Sequence, residues 1–240
     1  MTASRMRARA SSGALPRTTR VLCEFAAAMA RGREASARVA IAGARRARAR
    51  RRELTETALM LMLYAGFPGA LEGLRVLNAA WPGSAARTRG PAAARRSSEG
   101  SPGLWRKRGE ALCRRVYGPA YERLLPAVRA LHPDLAVWMV EHGYGRVLAR
   151  PGLGLREREL VTVAALAALG WERQLVSHVL GAARVGADTD AIREALRIGA
   201  GHAGARERAA AARTFKRAIA YLAREGAGRA GRMIRPRSTP

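Results

Sequence analysis

The sequence predicts an all-α protein, and three observations carry that reading. Ala, Leu, Arg and Glu dominate, the composition of helices. Aromatic residues make up only 5%, β-branched residues are scarce, and polar–apolar alternation of the strand type is hard to find. Apolar residues reach 48% of 240, enough for a genuine core holding one sizeable domain or two small ones.

Taken in order, the elements follow from local signals. Residues 1–18 carry arginines and no acid, and read as a disordered basic N-terminus. A helix is expected over 19–31 and a second over 34–48, whose terminal arginines suit the negative pole. Thr55 is a reasonable N-cap for a third, which ends at Gly66 with Pro68 just beyond. A fourth runs from 69 to Trp81 and Pro82, closing a first unit at 19–82. Residues 83–103 contain no Leu, Ile, Val or aromatic side chain and are the expected linker. The second unit, 104–225, opens with a helix over 104–117 that Gly118 and Pro119 end. Next come 120–131, with Pro126 inside, and 135–150, introduced by His132, Pro133 and Asp134. Gly170 separates a helix over 156–169 from one that starts at Trp171 and stops at Gly186. Asp188 or Thr189 caps 191–199, a last helix covers 205–224, and 226–240 form a mobile tail.

Charge and cysteine content narrow the function classes. The net charge of +26 suggests phosphate binding, yet only Lys107 and Lys216 are lysines among 44 basic residues, a bias that a GC-rich coding genome explains. No zinc-finger spacing or RNP-like aromatic pattern interleaves with the arginines, so no specific nucleic-acid partner is expected. The N-terminus lacks the apolar run of a secretory signal, and the longest apolar stretch, 58–71, is too short to span a bilayer. Cys23 and Cys113 stand alone, which predicts no metal, no dithiol site and a reducing, cytoplasmic location.

The most informative stretch is LRERELVTVAALAALGWERQLVSHVLGAARVG at residues 155–186. It sets one carboxylate, Glu159, and one imidazole, His178, on two helices joined by a glycine, with Gln174 sharing the His178 face. Together with LHPDLAVWMVEHGYGRVLARPGL at 131–153, these residues resemble the carboxymuconolactone decarboxylase family, which includes the alkyl hydroperoxidase D-like proteins. The resemblance implies an all-helical, usually homo-oligomeric protein. In the peroxidase branch the pattern is Glu, eleven residues, Cys, two residues, Cys, three residues, His. Here Glu159 and His178 keep the outer positions, while Trp171 and Gln174 replace both cysteines, so thiol peroxidase activity is not expected.

A second segment, ELTETALMLMLYAGFPGALEGL at 53–74, resembles the family's closing segment but precedes His178 in the chain. Sliding the chain on itself by 138 residues aligns 34–80 with 172–218, and ten of those 47 positions match. The fold expected is therefore a helical bundle of two alkyl hydroperoxidase D-like repeats. In that register Ala40 falls on His178, Val21 on Glu159 and Tyr64 on His202, so at most one site is chemically competent.

What the family implies is a cofactor-free lyase or isomerase acting on a small organic acid, lactone or keto compound. His178 would carry the proton and Glu159 would orient it. Trp171, Gln174, Tyr144, His202 and Arg184 are the expected substrate-binding residues, with Arg156 and Arg158 as further carboxylate partners. The other reading open at this point is a degenerate family member kept as an oligomeric binding or scaffold protein.

Overall fold

The computed structural model describes residues 15–82 and 100–233, with side chains up to 225. Among them no strand occurs, and the chain is all α. The helices are α1 (Arg17–Ala30), α2 (Glu34–Arg46), α3 (Arg51–Met60), α4 (Met62–Ala80), α5 (Pro102–Tyr117), α6 (Tyr121–Leu131), α7 (Pro133–Trp138), α8 (Leu155–Leu169), α9 (Glu172–Arg184), α10 (Thr189–Gly201) and α11 (Ala205–Met233). A π-helical segment, Met139–Leu148, continues directly from α7.

Two helices form the centre. Every residue of α8 from Arg158 to Ala168 is buried, and α1 buries Val21, Leu22, Cys23 and the run from Phe25 to Met29. These two helices, the most enclosed in the fold, pack on one another. Small residues bring further helices close: a Cβ on Gly199 of α10 would stand 2.1 Å from the Ala164 carbonyl oxygen of α8. The stops follow the expected chemistry. Gly170 takes a left-handed φ of 77° and its N–H closes onto the Leu166 carbonyl, while Asp188 caps α10 by accepting from the Ala191 N–H at 2.7 Å.

Several boundaries differ from those expected. Thr55 is no cap, since its hydroxyl bonds back to the Arg51 carbonyl inside α3; the helix start is held instead by Glu53, which accepts from the Arg50 N–H. The break near Gly66 is a kink (φ 71°, ψ −179°) within α4, followed by Pro68. Helix α5 starts at Pro102, where Ser101 accepts from the Leu104 N–H, so the expected linker yields its last two residues to the helix. Residues 83–99 lie outside the described residues. Pro126 leaves α6 undivided. The expected 135–150 helix is α7 plus the π segment, whose altered winding lets backbones touch. Cβ atoms on Gly145 and Gly109 would stand 2.1 and 2.0 Å from the Trp105 and Val140 carbonyl oxygens. Helix α11 runs on to Met233, through the segment expected to be a tail; Arg184 reaches Glu225 at 3.5 Å where the helix was expected to end. Helix α1 begins at Arg17, inside the expected basic N-terminus, of which residues 1–14 are not described.

The 138-residue offset recurs in the geometry. Helices starting at 17, 34 and 51 are answered by helices starting at 155, 172 and 189. The left-handed residues Gly32 and Arg48 are answered by Gly170 and Gly186. Two ion pairs cross between the halves at equivalent positions, Arg20 with Glu194 and Arg158 with Glu56. Among the described residues no helix is long and apolar enough to cross a membrane.

Candidate active site

Helices α8 and α9 form a hairpin around Gly170, and this brings Glu159 and His178 together. Glu159 is fully buried on α8, and its Oε2 lies 2.9 Å from Nδ1 of His178. A carboxylate there accepts from Nδ1–H, which leaves the lone pair on Nε2 at the opposite edge of the ring. Gly181 makes the approach possible: a Cβ on it would stand 2.7 Å from Glu159 Oε2 and 2.7 Å from Val116 Cγ1. The other oxygen, Glu159 Oε1, is buried without a hydrogen-bond partner.

His178 forms part of the wall of a cavity of about 580 Å³. Met62, Leu63 and Tyr64 of α4 supply one side, Tyr117 of α5 and Leu166 of α8 the back. Trp171 and Gln174 flank His178, and α7 with the π segment closes the rest through Leu135, Trp138, Met139, His142, Gly143, Tyr144 and Leu148. Trp138 and Trp171 are exposed and stand at the rim. The wall is thus drawn from both halves of the chain and, among the described residues, holds no Arg, Lys, Asp or Glu.

Three phenols line the cavity with the imidazole. The rings of Tyr64 and Tyr117 stand edge-on to it, with centroids 6.4 and 6.3 Å away. Tyr64 shares a 2.6 Å hydrogen bond with Thr162, and Tyr144 donates to Tyr117 at 2.7 Å. Burial, the largest cause for each, holds all three phenols well above their usual pKa, so they stay neutral donors. Burial, then Arg146, lowers the pKa of His142 and keeps that ring uncharged at neutral pH.

Of the residues expected from the sequence, His178, Trp171, Gln174 and Tyr144 meet at this cavity, and Glu159 stands directly behind His178. Arg184 and His202 do not line it. Arg184 donates to the Val116 carbonyl and pairs with Glu225. His202 sits half-buried at the end of α10, its Nδ1 unpartnered and its pKa lowered by burial and then by Arg33. Arg156 bonds the Gly186 carbonyl and Asp188, and Arg158 is taken up by Glu56 and two carbonyls. Tyr64, Tyr117 and His142 were not anticipated. Tyr117 announces only a helix end, before Gly118 and Pro119, and Tyr64 lies a hundred residues from the motif it joins.

No group of three or more His, Cys, Asp or Glu side chains is placed to hold a metal among the described residues. Cys23 and Cys113 are both buried free thiols, and neither lines the cavity.

A sequence model of the carboxymuconolactone decarboxylase family matches residues 1–79 and 133–216, and no curated protein sequence matches the chain. The matched regions make up more than half of the chain and include the segments that carry Glu159, His178 and Tyr64, so the chain belongs to the carboxymuconolactone decarboxylase family.

Proposed function

We propose that the chain is a cofactor-free lyase or isomerase in which His178 moves a proton to or from a small carboxylate, lactone or keto compound, with Glu159 fixing the ring. The observation that supports this most is the 2.9 Å bond between Glu159 and Nδ1, which turns Nε2 away from the carboxylate while His178 lines a cavity of substrate size. An imidazole so held can accept a proton at Nε2, and the neighbouring carboxylate stabilises the imidazolium that results.

The experiment is hydron exchange: purified protein in D₂O with a panel of small ketones and lactones, followed by proton NMR. Exchange next to the carbonyl should be catalysed, should fall about 10²-fold or more in His178→Asn, and should fall less in Glu159→Gln. Absence of exchange across the panel, with compounds still binding, would turn the reading toward a binding or scaffold protein. That second reading draws on the first half, which has Ala40 and Val21 at the positions corresponding to His178 and Glu159.

A further inference from the structure

The three phenols of the cavity differ in what their protons are doing. Thr162 spends its own hydroxyl proton on the Arg158 carbonyl at 2.8 Å, so toward Tyr64 it can only accept. Tyr64 is therefore the donor in that pair. Tyr144 gives its proton to Tyr117. Two of the three protons are committed, and among the described residues no acceptor takes the third, that of Tyr117. Receiving a hydrogen bond from Tyr144 also polarises the Tyr117 O–H and makes it a stronger donor.

Charge decides what that donor can meet. Among the described residues the cavity wall carries no cation: of the arginines close in sequence to Glu159 and His178, Arg156 pairs with Asp188, Arg158 with Glu56 and Arg184 with Glu225, and Arg173 is exposed and outside the wall. A carboxylate entering these aromatic and aliphatic walls would lose its water and gain no counter-charge. A neutral carbonyl needs a single O–H, and one is waiting.

We propose that Tyr117, polarised by Tyr144, binds the carbonyl oxygen of an uncharged ketone or lactone and holds the enolate oxygen formed when His178 removes the adjacent proton. This rests on the acid–base reading of the same cavity and narrows its substrates to uncharged carbonyl compounds. In the step, a C–H bond next to the carbonyl breaks and its proton passes to Nε2. The C–H electron pair becomes the carbon–carbon π bond, and the carbonyl π pair moves onto the oxygen under Tyr117. The imidazolium faces Glu159, and return of the proton to either end of the enolate restores the neutral ring. Tyr117 is thus a catalytic residue beside His178, and Tyr144 is a positioning residue acting through it.

The test uses the full chain and three one-ring probes: 4-nitrophenol, whose bound phenolate mimics the enolate and is read by its absorbance, acetophenone and benzoate. Acetophenone should bind at least about tenfold more tightly than benzoate, and bound 4-nitrophenol should ionise at lower pH than the free dye. Tyr117→Phe should weaken phenolate binding about tenfold or more, the loss expected for a hydrogen bond to a charged oxygen, and Tyr144→Phe should weaken it less. In His178→Asn the bound dye should revert to the neutral phenol. Benzoate binding as tightly as acetophenone, or phenolate affinity unmoved in a folded Tyr117→Phe, overturns the assignment. If Tyr117→Phe does not fold, the Tyr144→Phe loss and the probe preference decide. Dye ionisation unchanged in His178→Asn, with the Tyr117 effect intact, would count against the acid–base reading instead.

Discussion

A single hydrogen at position 181 sets the distance between the carboxylate and the imidazole. Gly181→Ala would drive a methyl group into Glu159 Oε2 and Val116, both inside a packed interface. The expected outcome is a loss of about 1–3 kcal/mol of stability, read by urea denaturation, together with slower hydron exchange because Glu159 is pushed off Nδ1. Full exchange activity in a folded Gly181→Ala would show that the contact is not needed. The thiols make a second prediction. Burial, the largest cause, pushes Cys113 up to about 12 and Cys23 higher still, so neither forms a thiolate at neutral pH. Folded protein should resist iodoacetamide at pH 8 and should turn over no peroxide with a dithiol reductant. A raised folded pKa contributes stability below the unfolded value, near 8.5, and that contribution is lost as pH rises toward 12; stability should accordingly fall with increasing alkalinity. Glu159, Trp171, Gln174 and His178 could be read from the sequence because they fall on the positions of the family pattern, and Tyr144 because it lies between two glycines in the resembling segment before it. Tyr64 and Tyr117 could not, since only the tertiary fold brings α4 and α5 to this wall.

At the level of elements, the junction of α3, α8 and the end of the π segment is held by a buried charge cluster. Glu56, 2% exposed, accepts from Arg158, 1% exposed, and from Arg150 at 3.0 Å. Glu56→Gln leaves Arg158 charged, enclosed and short of its counter-ion; a destabilisation of about 3–5 kcal/mol is expected, measurable as a shift in the urea midpoint. A midpoint within experimental error of wild type would mean that water reaches the cluster. Helix periodicity and glycine stops located α1, α2, α8 and α9 to within a few residues. What the sequence hid were features decided by tertiary contact. The π winding of Met139–Leu148 answers to the backbone of α5. The cap at Arg50 is local, and it was missed because it uses a carboxylate three residues on rather than a conventional capping side chain.

Across the whole molecule, part of the basic surface is paired, Arg38 with Glu34, Arg75 with Glu72, Arg106 with Glu141 and Arg197 with Glu194, and a net charge of +26 remains. We expect duplex and single-stranded DNA to bind only at low salt, weakening steeply as counterions compete. Sequence-selective binding at physiological salt, retained without residues 1–14 and 234–240, would assign the charge a different role. The duplication read from ten matching positions has firmer support in the recurring helix starts, left-handed residues and crossed ion pairs, and we propose that the two halves are diverged repeats. The sequence could suggest that register but not that each half completes the other. That crossing has a consequence for biosynthesis. Arg20 on α1 must await Glu194, which lies 174 residues later. At a synthesis rate of about 5–20 residues per second, that ion pair waits roughly 10–35 s. The side of α1 that packs on α8 therefore leaves the ribosome before its partner exists, and the cavity can close only after His178 has followed.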